Sequence, residues 1–202
     1  MYALVEDNNI TKIITNPKSM VIGDVNYPAK IFSVWSASEL NAIGIYEVVT
    51  DSSNFKDEAY YNNTNEEYNF ADNQATRSWG AATPKRLEDE NAVDEDGENI
   101  LNDDGNQVIN YGLKTQLIKT LKEQVANELA KTDWYITRNT EKETAIPSAI
   151  STHRDSVRTK QAEMETAITN ASDTPELETL YTYTTTDGVQ SRPLGELPTL
   201  DS

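Results

Sequence analysis

The sequence predicts an α+β chain: a small N-terminal antiparallel β domain, an acidic linker and a C-terminal helical hairpin. Three observations carry this. Short β-prone runs punctuated by turn residues fill the chain from Tyr2 to Trp79. A stretch rich in Asp, Asn and Gly follows. Beyond it, apolar residues recur at helical spacing from Leu113 onward. The boundaries read as 1–84 for a β-rich docking domain, 85–111 for the linker, 112–181 for the helical hairpin and 182–202 for an extended tail.

In chain order, Tyr2 to Val5 and Ile10 to Ile14 are strand runs joined at Asp7-Asn8-Asn9, a hairpin signal. Asn16-Pro17 breaks the pattern, and Ile31 to Trp35 is another short apolar run. Ser36-Ala37-Ser38-Glu39 has the form of a capping box, which predicts a short helix closed at Gly44. Ile45 to Thr50 returns to strand; Tyr68 to Phe70 and Ala75 to Trp79 form a hairpin with its tip at Ala71 to Gln74. In the linker, Asp96-Gly97 and Asp104-Gly105 are turns, because Asp and Gly tolerate positive φ. Leu117, Ile118, Leu121, Val125 and Leu129 then lie on one stripe of a helix. Ile150, Val157, Met164 and Ile168 mark the buried side of a second, and Asp173-Thr174-Pro175-Glu176 opens a third, short one.

Composition narrows the function. The chain has 202 residues, enough to bury a core without disulfides or metals. Only 37% are hydrophobic and the mean hydropathy is -0.66, low for one compact globule, which points to thin layers, long polar connections or surface completed by partners. Asp and Glu number 34 against 17 Lys plus Arg, a net charge of -17 that repels phosphate, so no nucleic-acid partner is expected. No apolar stretch approaches about 18 residues, and the opening MYALVEDNN lacks the basic and apolar parts of a signal peptide, so no membrane partner is expected.

Chemistry is sparse. With no cysteine and one histidine, thiol chemistry and Cys/His zinc sites are excluded within one chain. No Gly-rich phosphate loop and no GxSxG elbow is present. The linker fails the calcium-loop pattern at its first ligand: counting back from Gly97 and Gly105 places Ala92 and Ile100 there. His153 stands beside Arg154 and reads as a surface or interface histidine. Paired carboxylates, the remaining route, cluster in the polar linker, where nothing raises a pKa to make a proton donor. The expectation is a protein that is not an enzyme, with no catalytic, cofactor-binding or metal site.

The residues expected to contact partners are the stripe Leu117, Leu121, Val125 and Leu129, the aromatic pair Trp134 and Tyr135, and the spaced arginines Arg154 and Arg158. The stripe would bury against a second helix, the sheet or another subunit. Trp134 would seal a helix–helix corner or dock on a partner.

At Thr132-Asp133-Trp134 the chain resembles a known family. The segment from Leu129 to Arg158 is similar to the C-terminal part of tail-fibre assembly proteins of tailed bacteriophages, where an amphipathic helix ends in a Thr-Asp-Trp step and a later helix carries spaced arginines. Met1 to Val5, the run Tyr27 to Phe32, Trp35 and Gly44-Ile45-Tyr46 look like tail-region proteins of marine phages. The resemblance implies fibre attachment or fibre maturation, other tail or fibre proteins as partners, homo-oligomerisation, and a place in the virion after assembly in the host cytoplasm. It implies no catalytic residue. Fibre-assembly chaperones do not share the β-rich first half closely, which favours a permanent virion part over a chaperone; capsid decoration is the third reading.

Overall fold

The computed structural model describes residues 1–200. The chain is α+β and divides into two compact units, the first Met1–Thr83 and the second beginning at Pro84.

In the first unit, β1 (Tyr2–Glu6) and β2 (Asn9–Ile14) form the expected hairpin, with Asp7 and Asn8 at φ of 50° and 62°. A second hairpin, β3 (Met20–Ile22) and β4 (Val25–Tyr27), follows. The apolar run at Ile31 forms a one-turn helix, α1 (Ile31–Val34). Next comes α2 (Ala37–Asn41), whose capping box is fully formed: the Ser36 side chain accepts from the Glu39 N–H, and the Glu39 carboxylate accepts from the Ser36 N–H at 2.7 Å. Gly44 closes the turn at φ 81°, and a Cβ there would stand 2.7 Å from the Val5 carbonyl, so only glycine fits. The strands β5 (Ile45–Thr50), β6 (Tyr61–Asn62), β7 (Glu67–Ala71) and β8 (Gln74–Ser78) complete the unit, and β9 (Thr83–Pro84) marks its end.

The main sheet has the order β2-β1-β5-β8-β7. It is mixed, which corrects the expectation of an antiparallel domain: β5 and β8 run parallel. The cause is topological. A long connection leaves β5, and the tight Asp72-Asn73 turn of the β7–β8 hairpin returns β8 in the direction of β5. Edge strands β2 and β7 approach each other, so the sheet curls. Alternation along β1 supplies two apolar layers. Leu4 joins Ile14, Ile31, Leu40 and Ile45 under the short helices, while Ala3 joins Val48 and Ala75 on the other face.

The second unit opens with the acidic segment, which is an ordered three-legged element. Its centre is a closed ring of three backbone hydrogen bonds: Ala92 N–H to Val108 O at 2.8 Å, Ile100 N–H to Ala92 O at 2.9 Å, and Val108 N–H to Ile100 O at 2.9 Å. The participants recur every eight residues. Two legs are hairpins with bridges Val93–Asn99 and Leu101–Gln107; the third pairs β10 (Glu90–Asn91) with β11 (Ile109–Asn110). The hairpins share one turn. Asp94 Oδ1 accepts from the N–H groups of Asp96 and Glu98, Asn102 Oδ1 accepts from those of Asp104 and Asn106, and Gly97 and Gly105 sit at φ of 83° and 79°. The Asp-Gly turns are therefore where the sequence places them.

The helices are α3 (Leu113–Ala130), α4 (Asp133–Lys142), α5 (Ser148–Asn170) and α6 (Thr174–Tyr181). The third leg is fastened to the start of α3, where the Asp89 carboxylate accepts from the Gly112 N–H at 2.8 Å and the Thr115 hydroxyl at 3.0 Å. α3 packs antiparallel along α5. The tail, expected as turns and extended chain that is loose unless anchored, is anchored. A hairpin of β12 (Thr184–Thr186) and β13 (Val189–Ser191) turns at Asp187-Gly188, and Leu194 beyond it is buried, its N–H bonded to the Leu180 carbonyl at 3.0 Å. Asp201 and Ser202, the end of the predicted tail, lie outside the described residues.

Candidate docking site at the helical corner

Along α3 the predicted stripe divides by exposure. Leu121 and Val125 are buried, 3% and 4% exposed, and Leu117 and Leu129 are half-buried. Of the neighbours the sequence left open for this stripe, the one packed along α3 is α5 of the same chain, where Val157, Met164 and Ile168 are buried. Leu121 and Val125 are therefore core residues of the helical unit and are not presented at its surface.

The α3–α4 corner is organised by one cation. Arg154 on α5 is buried, and its Nη1 donates to three oxygens: the Leu129 carbonyl at 2.8 Å, the Thr132 hydroxyl at 2.7 Å and the Asp133 carboxylate at 2.8 Å. Leu129 O stands at the end of α3, where it also accepts from the Thr132 N–H at 3.0 Å. Thr132 is 1% exposed, and its hydroxyl donates back to the same carbonyl at 2.9 Å instead of capping α4. The Thr-Asp step thus turns the chain and supplies the acceptors that hold the guanidinium. Arg158 is exposed and, among the described residues, meets only Asp155, at 3.4 Å.

Beside Arg154, His153 is 6% exposed, which overturns its reading as a surface histidine. Its Nε2 faces Glu128 Oε1 at 3.3 Å, while Lys131 bonds the other oxygen of the same carboxylate. The lysine hydrogen bond holds the Glu128 carboxyl below its ordinary value, with the charges of Lys131 and His153 adding to it against the opposing effect of burial. The sequence hid this because a helix flank that looks polar is buried when another helix packs over it, here α3 over α5.

What the corner holds out is α4. It has no buried residue. Trp134 is 54% and Ile136 38% exposed. The Trp134 and Tyr135 rings lie 4.5 Å apart, and the Arg138 guanidinium stacks 4.4 Å over Trp134 and 5.4 Å over Tyr135. Arg138 is the residue the sequence reading missed. Its spacing of four from Trp134 was the available signal.

Every resolved carboxylate shift among the described residues is downward, at Glu39, Asp51, Glu66, Glu128 and Glu176, each favoured as the anion by hydrogen bonds. No group of three or more His, Asp or Glu among the described residues is arranged to hold a metal ion. No helix among them is long and apolar enough to cross a membrane. No protein family, curated protein or solved structure matches the chain.

Proposed function

We propose that the chain is a non-enzymatic structural protein of a tailed-phage particle, an adaptor or fibre-attachment component of the tail that docks on other tail or fibre proteins. The observation that carries this reading is α4: a ten-residue helix with no fully buried residue, fixed at its start by a buried arginine and displaying Trp134 and Ile136, with the half-buried Tyr135 and Arg138 stacked beside Trp134. Isolated helices this short are marginal in water, so a rigid mount for one is best explained by what it presents. Tryptophan, tyrosine and arginine are the side chains that dominate binding energy at protein interfaces. The resemblance of Leu129 to Arg158 to tail-fibre assembly proteins supports the same segment, since Thr132, Asp133 and Arg154 meet there.

Mass spectrometry of purified particles tests this reading. A retained adaptor is present at the fixed copy number of a symmetric tail assembly. A fibre-assembly chaperone, the alternative, is needed for fibre folding yet absent from finished particles.

A further inference from the structure

We propose that the chain also self-associates head to tail, the acidic hairpin legs of one copy seating in a lysine-flanked groove along α3 of the next. The groove has a volume of about 830 Å³ and is floored by Tyr111, Ile118 and Ala126, with Lys119, Lys122 and Glu123 on its sides. Tyr111 is 59% exposed, so this apolar strip lies open in the single chain. Lys119 has no ion-pair partner among the described residues, and Lys122 reaches only Glu165, at 4.0 Å.

The matching surface is on the free legs. Val93 and Leu101, eight residues apart at equivalent positions of the repeat, are 50% and 57% exposed. The stretch from Ala92 to Asn110 around them holds six acidic residues and no lysine or arginine. Both surfaces pair an apolar strip with charge, the groove carrying two lysines to one glutamate and the legs acids alone. Two acidic legs repel each other, so the interface joins unlike patches. Such a heterologous contact closes into a ring or runs on as a filament. A second copy is the favoured occupant because one chain carries both halves of the match and leaves both uncovered. The surfaces lie apart from Trp134, so this proposal and the tail-docking reading stand or fall separately.

Charge reversal in the full chain, read by sedimentation velocity near physiological ionic strength, is the test. Glu95→Lys, Asp96→Lys, Asp103→Lys and Asp104→Lys together reverse the legs, leaving two acids against four lysines, and Lys119→Glu with Lys122→Glu reverses the groove; all six side chains are exposed, and none holds a turn or the core. Each variant alone weakens self-association by about tenfold or more, and an equimolar mixture of the two restores it, because each then meets its opposite charge. Trp134→Ala leaves self-association unchanged. A wild-type chain that stays monomeric to about 100 μM, where even weak interfaces form, overturns the proposal. So does an oligomer indifferent to either reversal, or a mixture that fails to restore it.

Discussion

Arg154 and Arg158 lie one turn apart on α5, and only the first is buried. Arg154→Met would remove a charged donor shared by three acceptors, of which Leu129 O keeps the Thr132 N–H and hydroxyl, at a cost of about 1–3 kcal/mol. Arg158→Ala removes a solvent-screened contact and changes stability by less than about 0.5 kcal/mol. Paired thermal or urea unfolding of the two variants checks the contrast. Acid sensitivity belongs to the same scale. Because the folded Glu128 carboxyl sits below its ordinary value of 4.5, its contribution is present above that value and is lost as pH falls through the lower folded pKa. Glu128→Gln is expected to flatten the loss of stability below about pH 4.5, measured by unfolding across a pH series.

At the scale of elements, local chemistry was legible and pairing was not. The Ser36 to Glu39 box, the Asp7-Asn8 turn, the Asp-Gly turns and the Asp173 cap of α6 formed where their residue types require. These signals act within a few residues, so a sequence displays them directly. The parallel β5–β8 pair, the eight-residue ring in the acidic segment and the anchored tail depend on partners distant along the chain. So does His153, whose burial is set by α3. The candidate site was half legible: Trp134, Tyr135 and Arg154 share the corner, Arg138 went unnoticed, and Leu121 and Val125 face inward. Leu121→Asp with Val125→Asp is therefore expected to abolish folding of the helical unit, since each buries an unpaired charge. Loss of helical circular dichroism or of soluble expression is the readout. A folded, soluble variant that merely fails to assemble would return the stripe to the surface.

Across the whole molecule, two units with thin cores are joined in one strongly acidic chain. Low hydropathy follows from that construction: short strands, a three-legged polar element and an uncovered helix contribute little to a core and much to surface. A net charge of -17 makes such a surface repel other acidic surfaces and attract basic ones. Removing the aromatic anchor should leave the fold intact. Trp134→Ala is expected to unfold within about 0.5 kcal/mol of the wild type and yet to be lost from particles.

The most direct measurement places a photo-cross-linking phenylalanine analogue at Trp134 in phage grown from the altered gene, with Thr159, exposed on α5, as the control position. The account predicts one specific adduct with a tail or fibre protein in purified particles from position 134 and none from 159. Equal labelling from both positions, or none from 134 in particles that contain the chain, would contradict it.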